Sequence, residues 1–388
     1  MSIVPIRIGA LILATIAGIT VLYAGSYATA TEPVPMIHVT DLYRPHNDPD
    51  DHWDLACVYA LAFQSRAELL GVLIDYPLPG AAHDPDVLAV AQLNYLTGKA
   101  VPVMVGSPRF QDSSGGAAQA EEADLRGVRA MLDWMRRSPR PVVIHVLGSC
   151  RDVALAGRLE PQLFEQKCSG VYLNAGSGTR DPQKAAVLEW NVHLDPAAYR
   201  AVFDLPCPVY WMPCFEDVPN RPGEGFRTAE YGTFYRFRQG DVLPHLSPSL
   251  RNFFAYMFLH GNLLQPDDTS SFVPRPDWLR FLTARPDPDL IARIAAMDRN
   301  MWCTAGFFHS VGLTVTQEGS IVPASHAAEP VFTFDRVRVS CSEDGVTRWS
   351  DADKTADSPP RFIFHVRDVS RYPIAMTTAM RSLLSELP

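Results

Sequence analysis

Residues 36–64 read MIHVTDLYRPHNDPDDHWDLACVYALAFQ, and this stretch decides the fold class. The apolar run Met36–Asp41 predicts a strand, and Asp51–Gln64 carries apolar residues at roughly helical spacing. The alternation continues with predicted strands at Leu69–Ile74, Val101–Val105, Pro141–Leu147, Gly170–Asn174 and Pro208–Met212, and with predicted helices at Pro85–Leu96 and Leu125–Arg137. This order predicts an α/β fold with an open, mostly parallel, doubly wound sheet.

The second half of the chain is less regular. Residues Phe215–Leu246 are rich in aromatic residues, Pro, Gly and charge, which is typical of a long insertion near a site. Later elements are predicted as helices at Leu250–His260, Asp287–Phe308 and Tyr372–Leu387 and as strands at Val331–Cys341 and Arg361–Val366. We therefore expect residues 31–388 to form a single domain with a cap-like insertion around residues 215–246.

The composition and the first thirty residues restrict the function. The chain has 388 residues, a net charge of −9 and no Lys/Arg run, which argues against a nucleic-acid partner. Arg7 precedes the apolar run Ile8–Tyr23, and Ala28-Thr29-Ala30 resembles a cleavage site. Residues 1–30 are therefore predicted to be a signal peptide of a secreted or periplasmic protein, free of the membrane after cleavage, although an uncleaved anchor is the alternative. The seven cysteines are an odd number, so at least one is expected to be unpaired within the monomer.

An acidic cluster follows the first predicted strand. Its members lie within fourteen residues: Asp41, Asp48, Asp50, Asp51 and Asp54. Packed carboxylates repel and raise one another's pKa unless a counter-charge is present, and a hard cation such as Ca²⁺ takes oxygen ligands of this kind. The alternative is that Asp50 and Asp51 only open a helix, where the helix dipole favours negative charge.

A second polar group follows the predicted strand that ends at Asn174. Ligands of open α/β sheets bind beyond the carboxyl ends of the strands, which makes Asn174 a candidate ligand-binding residue. Glu189 and Asn191, two residues apart, face the same way if the backbone is extended, an arrangement suited to sugar hydroxyls. An ordinary polar loop is the alternative, and Asp195-Pro196 is typical of a helix start.

Several motifs in register along residues 36–215 resemble the inosine/uridine-preferring nucleoside hydrolase superfamily. They are Asp41 with Asp50-Asp51, the helix followed by Glu68–Val72, the stretch Val146–Ala154, the stretch Val171–Gly176, and Glu189–Pro196. The resemblance implies a Ca²⁺-dependent N-ribohydrolase in which Asp41, Asp50, Asp51 and the backbone carbonyl of Leu147 hold the metal. It further implies that Asp41 is the general base, that Glu189 and Asn191 bind ribose hydroxyls, and that the protein is a homo-oligomer.

The chain also departs from this family. The insertion Leu42–His46 separates Asp41 from the acid pair, which makes Asp48 a rival first ligand, and Asp54 is expected on the helix surface. The family's late His-Asp aligns with Trp302-Cys303, and a neutral thiol is a poor Ca²⁺ ligand. Asp75-Tyr-Pro stands where the family has Gly-Asn. Candidates for the acid that protonates the leaving base are His46, His52, His309, Tyr231 and Tyr235, and Trp190 or Trp302 are candidates for stacking on a base or sugar.

Three functions remain open at this point. The first is hydrolysis of the N-glycosidic bond of a nucleoside or related ribosyl compound. The second is a non-catalytic sugar- or nucleoside-binding protein, suggested by the Trp302-Cys303 replacement. The third is hydrolysis of another glycosidic bond, suggested by the aromatic insertion and the export signal.

Overall fold

A nine-stranded sheet forms the centre of the protein. The computed structural model describes residues 32–44, 50–76, 84–110, 122–219, 225–261, 275–352 and 359–388. Chain contacts group Pro33–Pro388 into one compact unit. The predicted signal peptide and the candidates His46 and Asp48 lie outside the described residues.

The strands confirm most of the predicted alternation. In chain order they are β1 (Val34–Thr40), β2 (Tyr43–Arg44), β3 (Ala67–Ile74), β4 (Asp84–Pro85), β5 (Val103–Val105), β6 (Val142–Val146), β7 (Cys168–Asn174), β8 (Val209–Met212), β9 (Tyr235–Arg238), β10 (Asp298–Met301), β11 (Leu313–Val315), β12 (Ile321–Pro323), β13 (Phe332–Cys341), β14 (Thr347–Asp351) and β15 (Arg361–Val366). The central sheet has the order β14-β13-β15-β8-β7-β6-β1-β3-β5. All neighbours pair in parallel except β13, which is antiparallel to both β14 and β15.

Helices follow the strands. They are α1 (Asp50–Phe63), α2 (Val87–Thr97), α3 (Arg126–Arg137), α4 (Arg151–Leu159), α5 (Pro161–Lys167), α6 (Trp190–Leu194), α7 (Pro196–Val202), α8 (Pro248–Gly261), α9 (Arg275–Thr283), α10 (Pro288–Ala295), α11 (Thr304–Ser310) and α12 (Tyr372–Leu384). None of the helices that the structure describes is long and apolar enough to cross a membrane.

Two apolar layers cover the two faces of the sheet, as expected for a doubly wound fold. Met36 belongs to the layer that contains α1, α11 and α12, whereas Ile37 and Val39 belong to the layer with α3, α4 and α7. Side chains of a strand alternate between faces, so Thr40 projects to the α1 side, as Leu147, Asn174 and Met212 do on their strands. The carboxyl ends of β1, β6, β7 and β8 therefore present one row of residues next to α1 and α11.

The predicted helix at Asp287–Phe308 is wrong. Residues in this range form α10, then β10, then α11, because β10 pairs with β9 and adds a two-stranded ribbon to the insertion. The helical signal came from the apolar residues of α10 and α11, and a four-residue strand between two helices leaves little periodicity of its own.

Candidate functional site

Three carboxylates meet at the ends of neighbouring strands. Asp41 follows β1, Asp75 follows β3, and Asp51 lies in the first turn of α1. The backbone N–H of Asp75 donates to the Thr40 carbonyl at 2.9 Å, and Thr40 Oγ1 donates to Asp51 Oδ1 at 2.8 Å. Asp41 and Asp51 remain partly exposed, whereas Asp75 is fully buried. Two of the three carboxylates are thus accessible to a ligand, with the third beneath them.

These carboxylates influence one another electrostatically. Burial raises the pKa of Asp41 well above its ordinary value, and the charges of Asp51 and Asp75 together with a hydrogen bond to Asp51 raise it further. Burial also raises the pKa of Asp75 to about 6, against the opposing charge of Arg151. A carboxyl group whose pKa is raised toward neutrality is suited to accept a proton during a reaction.

A close-packed turn after β6 holds the cluster together. A Cβ atom added to Gly148 would lie 2.7 Å from Asp75 Oδ2 and 2.8 Å from Asp41 Cβ, so only glycine fits. The Ser149 N–H donates to Asp75 Oδ2 at 2.5 Å. Arg151 is buried and donates to the carbonyls of Pro108 and Tyr76, which joins the ends of β3 and β5 to the same turn.

Asp75 is a site residue that the sequence analysis did not assign. It was noted only as a departure from the family's Gly-Asn. The available signal was an acid directly after an apolar strand, the same arrangement that identified Asp41. What the sequence did not show is that β3 pairs with β1 in the sheet, which places the two strand ends side by side.

Asparagine side chains lie next to the carboxylates. Asn191 Nδ2 donates to the Leu147 carbonyl at 2.7 Å and to the Asn174 carbonyl at 3.0 Å. Asn174 Nδ2 donates to the Met212 carbonyl and to Thr233 Oγ1. The ends of β6, β7 and β8 are thereby linked, and Leu147, a predicted metal ligand, uses its carbonyl oxygen as an acceptor for Asn191.

Glu189 is the N-cap of α6 and has extended backbone as expected, but Asn191 lies in the helix, so the expectation that both residues belong to one extended segment is wrong. Its carboxylate accepts from the N–H groups of Gly176 at 2.9 Å and Asn191 at 3.0 Å, and more weakly from Val192. Burial raises the pKa of Glu189 and these N–H groups oppose that rise. Asp195 caps α7 in the same way, through Ala198, as the sequence predicted.

Cys303 lies at the site, directly before α11. Its thiol donates to Asn174 Oδ1 at 3.2 Å, and the thiol of Cys214 donates to the same oxygen at 3.5 Å. Burial raises the pKa of Cys303, and the charges of Asp54, Asp50 and Asp51 raise it further. All seven cysteines are free thiols.

Of the side chains at the predicted calcium site, only the carboxylates are suitable ligands for Ca²⁺. Buried and half-buried carboxylates that repel one another suit a hard divalent cation, and Asp41 and Asp51 fit that chemistry. Cys303 does not, because it is a protonated thiol directed at Asn174. Within the described ranges, no group of three or more His, Cys, Asp or Glu side chains is placed to hold a metal ion.

Other sequence candidates are bonded to residues outside the three carboxylates or differ from expectation. Asp54 is fully buried, so its expected place on the helix surface is wrong. His52 contacts Asp86 at 3.3 Å, the His309 ring bonds the Tyr172 hydroxyl, and the buried Tyr235 hydroxyl bonds Thr304. Burial lowers the pKa of His309 to about 4, which opposes a role as a proton-donating imidazolium. Tyr231 packs on Trp349 and His365.

The insertion contributes an aromatic cluster beside Cys303. Trp302 packs edge-on against Phe215 and Phe226 and also contacts Phe234. Phe226 is 38% exposed, whereas Trp302 is buried. The other tryptophan proposed for stacking, Trp190, is 59% exposed and contacts His193. Of the two, Trp302 is therefore the one beside Cys303, whose thiol donates to Asn174.

A cavity of about 460 Å³ opens at the ends of β3 and β5. Its lining consists of Tyr76, Val103, Met104, Val105, Gly106, Pro108, Asp124 and Arg126. Neither Asp41 nor Asp51 belongs to that lining. We therefore place the candidate site at the carboxylates and not in this cavity.

Comparisons with known proteins identify the family of this chain. Residues 47–343 match the family model for inosine-uridine preferring nucleoside hydrolase. No curated protein matches the sequence.

Among solved structures, the effector protein XOO4466 has 14% identity and a TM-score of 0.50 over 91% of this chain and 94% of its own, which shows the fold. An inosine-uridine preferring nucleoside hydrolase from Bacillus anthracis has 13% identity and a TM-score of 0.43 over 90% and 99% of the two chains. The type III effector protein XopQ complexed with adenosine diphosphate ribose has 14% identity and a TM-score of 0.44 over 91% and 95%. Because the family match spans well over half of the chain, the predicted family is confirmed: the chain belongs to the inosine-uridine preferring nucleoside hydrolase family.

Proposed function

We propose that this chain hydrolyses the N-glycosidic bond of a nucleoside or a related ribosyl compound at the carboxylates of Asp41, Asp51 and Asp75. The observation that carries the proposal is that these three carboxylates meet where β1 and β3 end and α1 begins. Asp41 and Asp51 are partly exposed there. The family supports the same chemistry, since its members are named for inosine and uridine hydrolysis.

In the proposed reaction Asp41 accepts the proton of the attacking water. In its ionised form Asp41 is a stronger base than an ordinary carboxylate, because burial and the charges of Asp51 and Asp75 raise its pKa. Positive charge develops on the ribosyl ring as the bond to the base breaks, and the base leaves with the bonding electron pair and takes up a proton from solvent water. The surrounding carboxylates stabilise that charge because they are already in place before the reaction.

Hydroxyl recognition is assigned to Asn191, with Glu189 and Asn174 as its supports. Asn191 Nδ2 uses both hydrogens on the Leu147 and Asn174 carbonyls, so its Oδ1 is the group with which it can accept a bond from a ribose hydroxyl. Direct contact of Glu189 or Asn174 with substrate stays a prediction. It requires them to exchange hydrogen bonds that they now make within the protein.

We further propose Ca²⁺ as the cofactor, held by Asp41, Asp50, Asp51 and the Leu147 carbonyl. Its support is the donor chemistry of the carboxylates and their mutual repulsion. A bound divalent cation lowers the pKa of coordinated water and offsets the negative charge of its ligands. Secretion after removal of residues 1–30, a cap role for residues 215–246 and homo-oligomer formation are parts of the proposal that rest on the sequence.

The aromatic cluster supports recognition of a planar leaving group. Phe226 is exposed at the edge of the cluster, and Trp302 lies behind it next to Cys303. Aromatic side chains stack on bases through their faces. We propose that the base of the substrate lies against this cluster while its ribosyl group faces the carboxylates.

The test is turnover of a nucleoside panel by the full chain with and without added Ca²⁺. We expect release of free base, and a loss of about 100-fold or more in kcat/KM for Asp51→Asn. The matched control is Asp133→Asn, an exposed acid on α3 that pairs with Arg136, which is expected to behave like the wild type. Absence of turnover of every nucleoside in the presence of Ca²⁺ would refute the proposal.

A non-catalytic binding protein is the second candidate function. The observation that favours it is Cys303 in place of the family's late acid. Its thiol donates a hydrogen bond to Asn174 and is a poor ligand for Ca²⁺. Calorimetric binding of a nucleoside without product formation would support this alternative over hydrolysis.

A further inference from the structure

The side chain of Asn174 has all its hydrogen-bonding positions filled by the protein. Its two amide hydrogens go to the Met212 carbonyl at 2.9 Å and Thr233 Oγ1 at 3.0 Å. Its Oδ1 accepts from the thiol of Cys303 at 3.2 Å, and the thiol of Cys214, 3.5 Å away, divides its one hydrogen between this oxygen and the carboxylate of Glu189. An amide offers two donor hydrogens and two acceptor lone pairs, so this arrangement defines one orientation of the amide out of two.

Both thiols can act only as donors in this arrangement. An amide oxygen has no hydrogen to give, so each sulfur must keep its proton. Burial raises the pKa of both Cys303 and Cys214, which maintains the protonated form. The nearby acids act in the same direction, because their negative charge disfavours a thiolate.

Asn174 is also bonded to Asn191, the residue that we propose to bind a substrate hydroxyl. Its backbone carbonyl accepts from Asn191 Nδ2, whose other hydrogen goes to the Leu147 carbonyl. A shift of Asn174 therefore moves Asn191 relative to Leu147. Asn174 therefore connects the Cys303 thiol to Asn191, whose Oδ1 is the proposed acceptor for a substrate hydroxyl.

We propose that Cys303 is a positioning residue that fixes the amide of Asn174 and thereby the placement of Asn191 for substrate. The proposal rests on the proposed function for its kinetic consequence. Position 303 is where the resemblance places the family's late acid. Here a hydrogen-bond donor stands at that position, and the Asn174 amide is oriented to accept from it.

An acid at position 303 would conflict with this arrangement. An ionised carboxylate is acceptor-only and would face the acceptor Asn174 Oδ1. Rotating the amide to relieve that conflict would turn Oδ1 toward the Met212 carbonyl and lose that hydrogen bond. Restoring the family's residue is therefore expected to harm the site, which separates this proposal from a simple loss of a metal ligand.

The experiment compares Cys303→Ser, Cys303→Ala and Cys303→Asp, with Cys341→Ser as a control thiol away from Asn174. We expect the serine variant to keep KM near the wild-type value, because its hydroxyl also donates. The alanine variant should raise KM about fivefold, as expected for one lost hydrogen bond, with little change in Tm or kcat. The aspartate variant should raise KM further.

Two kinetic results would overturn the proposal. One is an alanine variant with wild-type KM. The other is an aspartate variant with higher activity and tighter Ca²⁺ binding by calorimetry than the wild type, which would mean that position 303 is only a vacated metal-ligand position.

The infrared S–H stretching band gives a readout that does not depend on activity. Difference spectra between wild type and Cys303→Ser isolate the Cys303 band, whose frequency reports whether the thiol donates a hydrogen bond. We expect Asn174→Ala to shift this band toward that of a free thiol. An unshifted band would refute the proposed contact, whereas a shifted band in a chain that turns over no nucleoside would refute only the proposed function.

Discussion

At the residue scale, the site depends on Gly148. The end of β6 passes so close to β1 and β3 that a Cβ at this position would lie 2.7 Å from Asp75 Oδ2, 2.8 Å from Asp41 Cβ and 3.0 Å from Asp41 N. Two of these contacts are with parts of Asp41 close to its backbone, which cannot move aside cheaply. Gly148 therefore brings Asp41 and Asp75 together, and the sequence marked it only as part of a family-like motif.

We predict that Gly148→Ala displaces Asp41 and lowers both stability and activity. Overpacking of this kind costs about 1–3 kcal/mol. Urea unfolding and nucleoside turnover would measure the two effects. The control is Gly225→Ala, because a Cβ at Gly225 meets no atom of the described residues within 4 Å. Equal turnover by both variants would contradict the proposed role of the packed turn.

At the element scale, the short helix α6 was not predicted from the sequence. A five-residue helix has too few turns to produce a recognisable period, so Glu189 and Asn191 appeared to lie in a loop or strand. In the structure Glu189 binds two N–H groups of α6 and the N–H of Gly176 in the turn after β7. It therefore holds the helix to the strand end as well as capping it.

We predict that Glu189→Ala costs about 2–3 kcal/mol of unfolding free energy and weakens nucleoside binding, because a buried cap and a tertiary anchor are lost together. Asp195→Ala is the matched variant, since Asp195 caps α7 through Ala198. It should cost about 1 kcal/mol and leave binding unchanged. Chemical denaturation and calorimetry on the two variants would check this, and equal binding losses would argue against a specific role for Glu189.

At the scale of the whole molecule, a row of rings crosses the sheet beneath the site. The register places His38 opposite His145, then Tyr172, Tyr210 and Phe362 on successive strands. His145 stacks on Tyr172 at 4.9 Å, Tyr172 on Tyr210 at 4.5 Å, and Tyr210 on Phe362 at 4.7 Å between ring centroids. The row lies two residues before the strand ends, so it supports Thr40, Leu147, Asn174 and Met212 from below.

This row predicts acid sensitivity. Burial lowers the pKa of His38 to about 3, and in the described part of the chain neither of its ring nitrogens has a hydrogen-bond partner. The unfolded chain binds a proton below its ordinary pKa of about 6.5 while the folded chain does not. Stability is therefore lost as the pH falls from about 6.5 toward 3, by about 2–3 kcal/mol at a pH near 4.5 for this one histidine.

We predict that His38→Phe removes this part of the acid destabilisation without loss at neutral pH, since the new ring fits beside Phe307 and leaves no polar atom unsatisfied. Urea unfolding at neutral pH and near pH 4.5 would measure the difference. His245→Phe, at an exposed histidine, is the control. A variant with the wild-type pH dependence would show that His38 does not titrate in this way.

The alternation of apolar strands and helices was enough to predict the fold class. The motifs were enough to predict the family and its class of N-glycosyl hydrolases. Strand identities were predictable from local runs such as Val142–Val146, because burial on both faces demands continuous apolar residues. The prediction failed at β10 and α6, which are short and owe their conformation to partners distant in sequence: β9 for one, and the turn after β7 for the other.

From the sequence alone Asp41, Asp50, Asp51, Glu189 and Asn191 could be predicted as candidate site residues, because ligands of open α/β sheets bind beyond the carboxyl ends of the strands. Which residues lie beside these candidates depends on the tertiary fold. Sheet order placed Asp75 beside Asp41, and packing of α11 on the strand ends brought Cys303 to Asn174. Contacts of this kind join residues far apart in the chain, and no local pattern specifies which strand lies next to which.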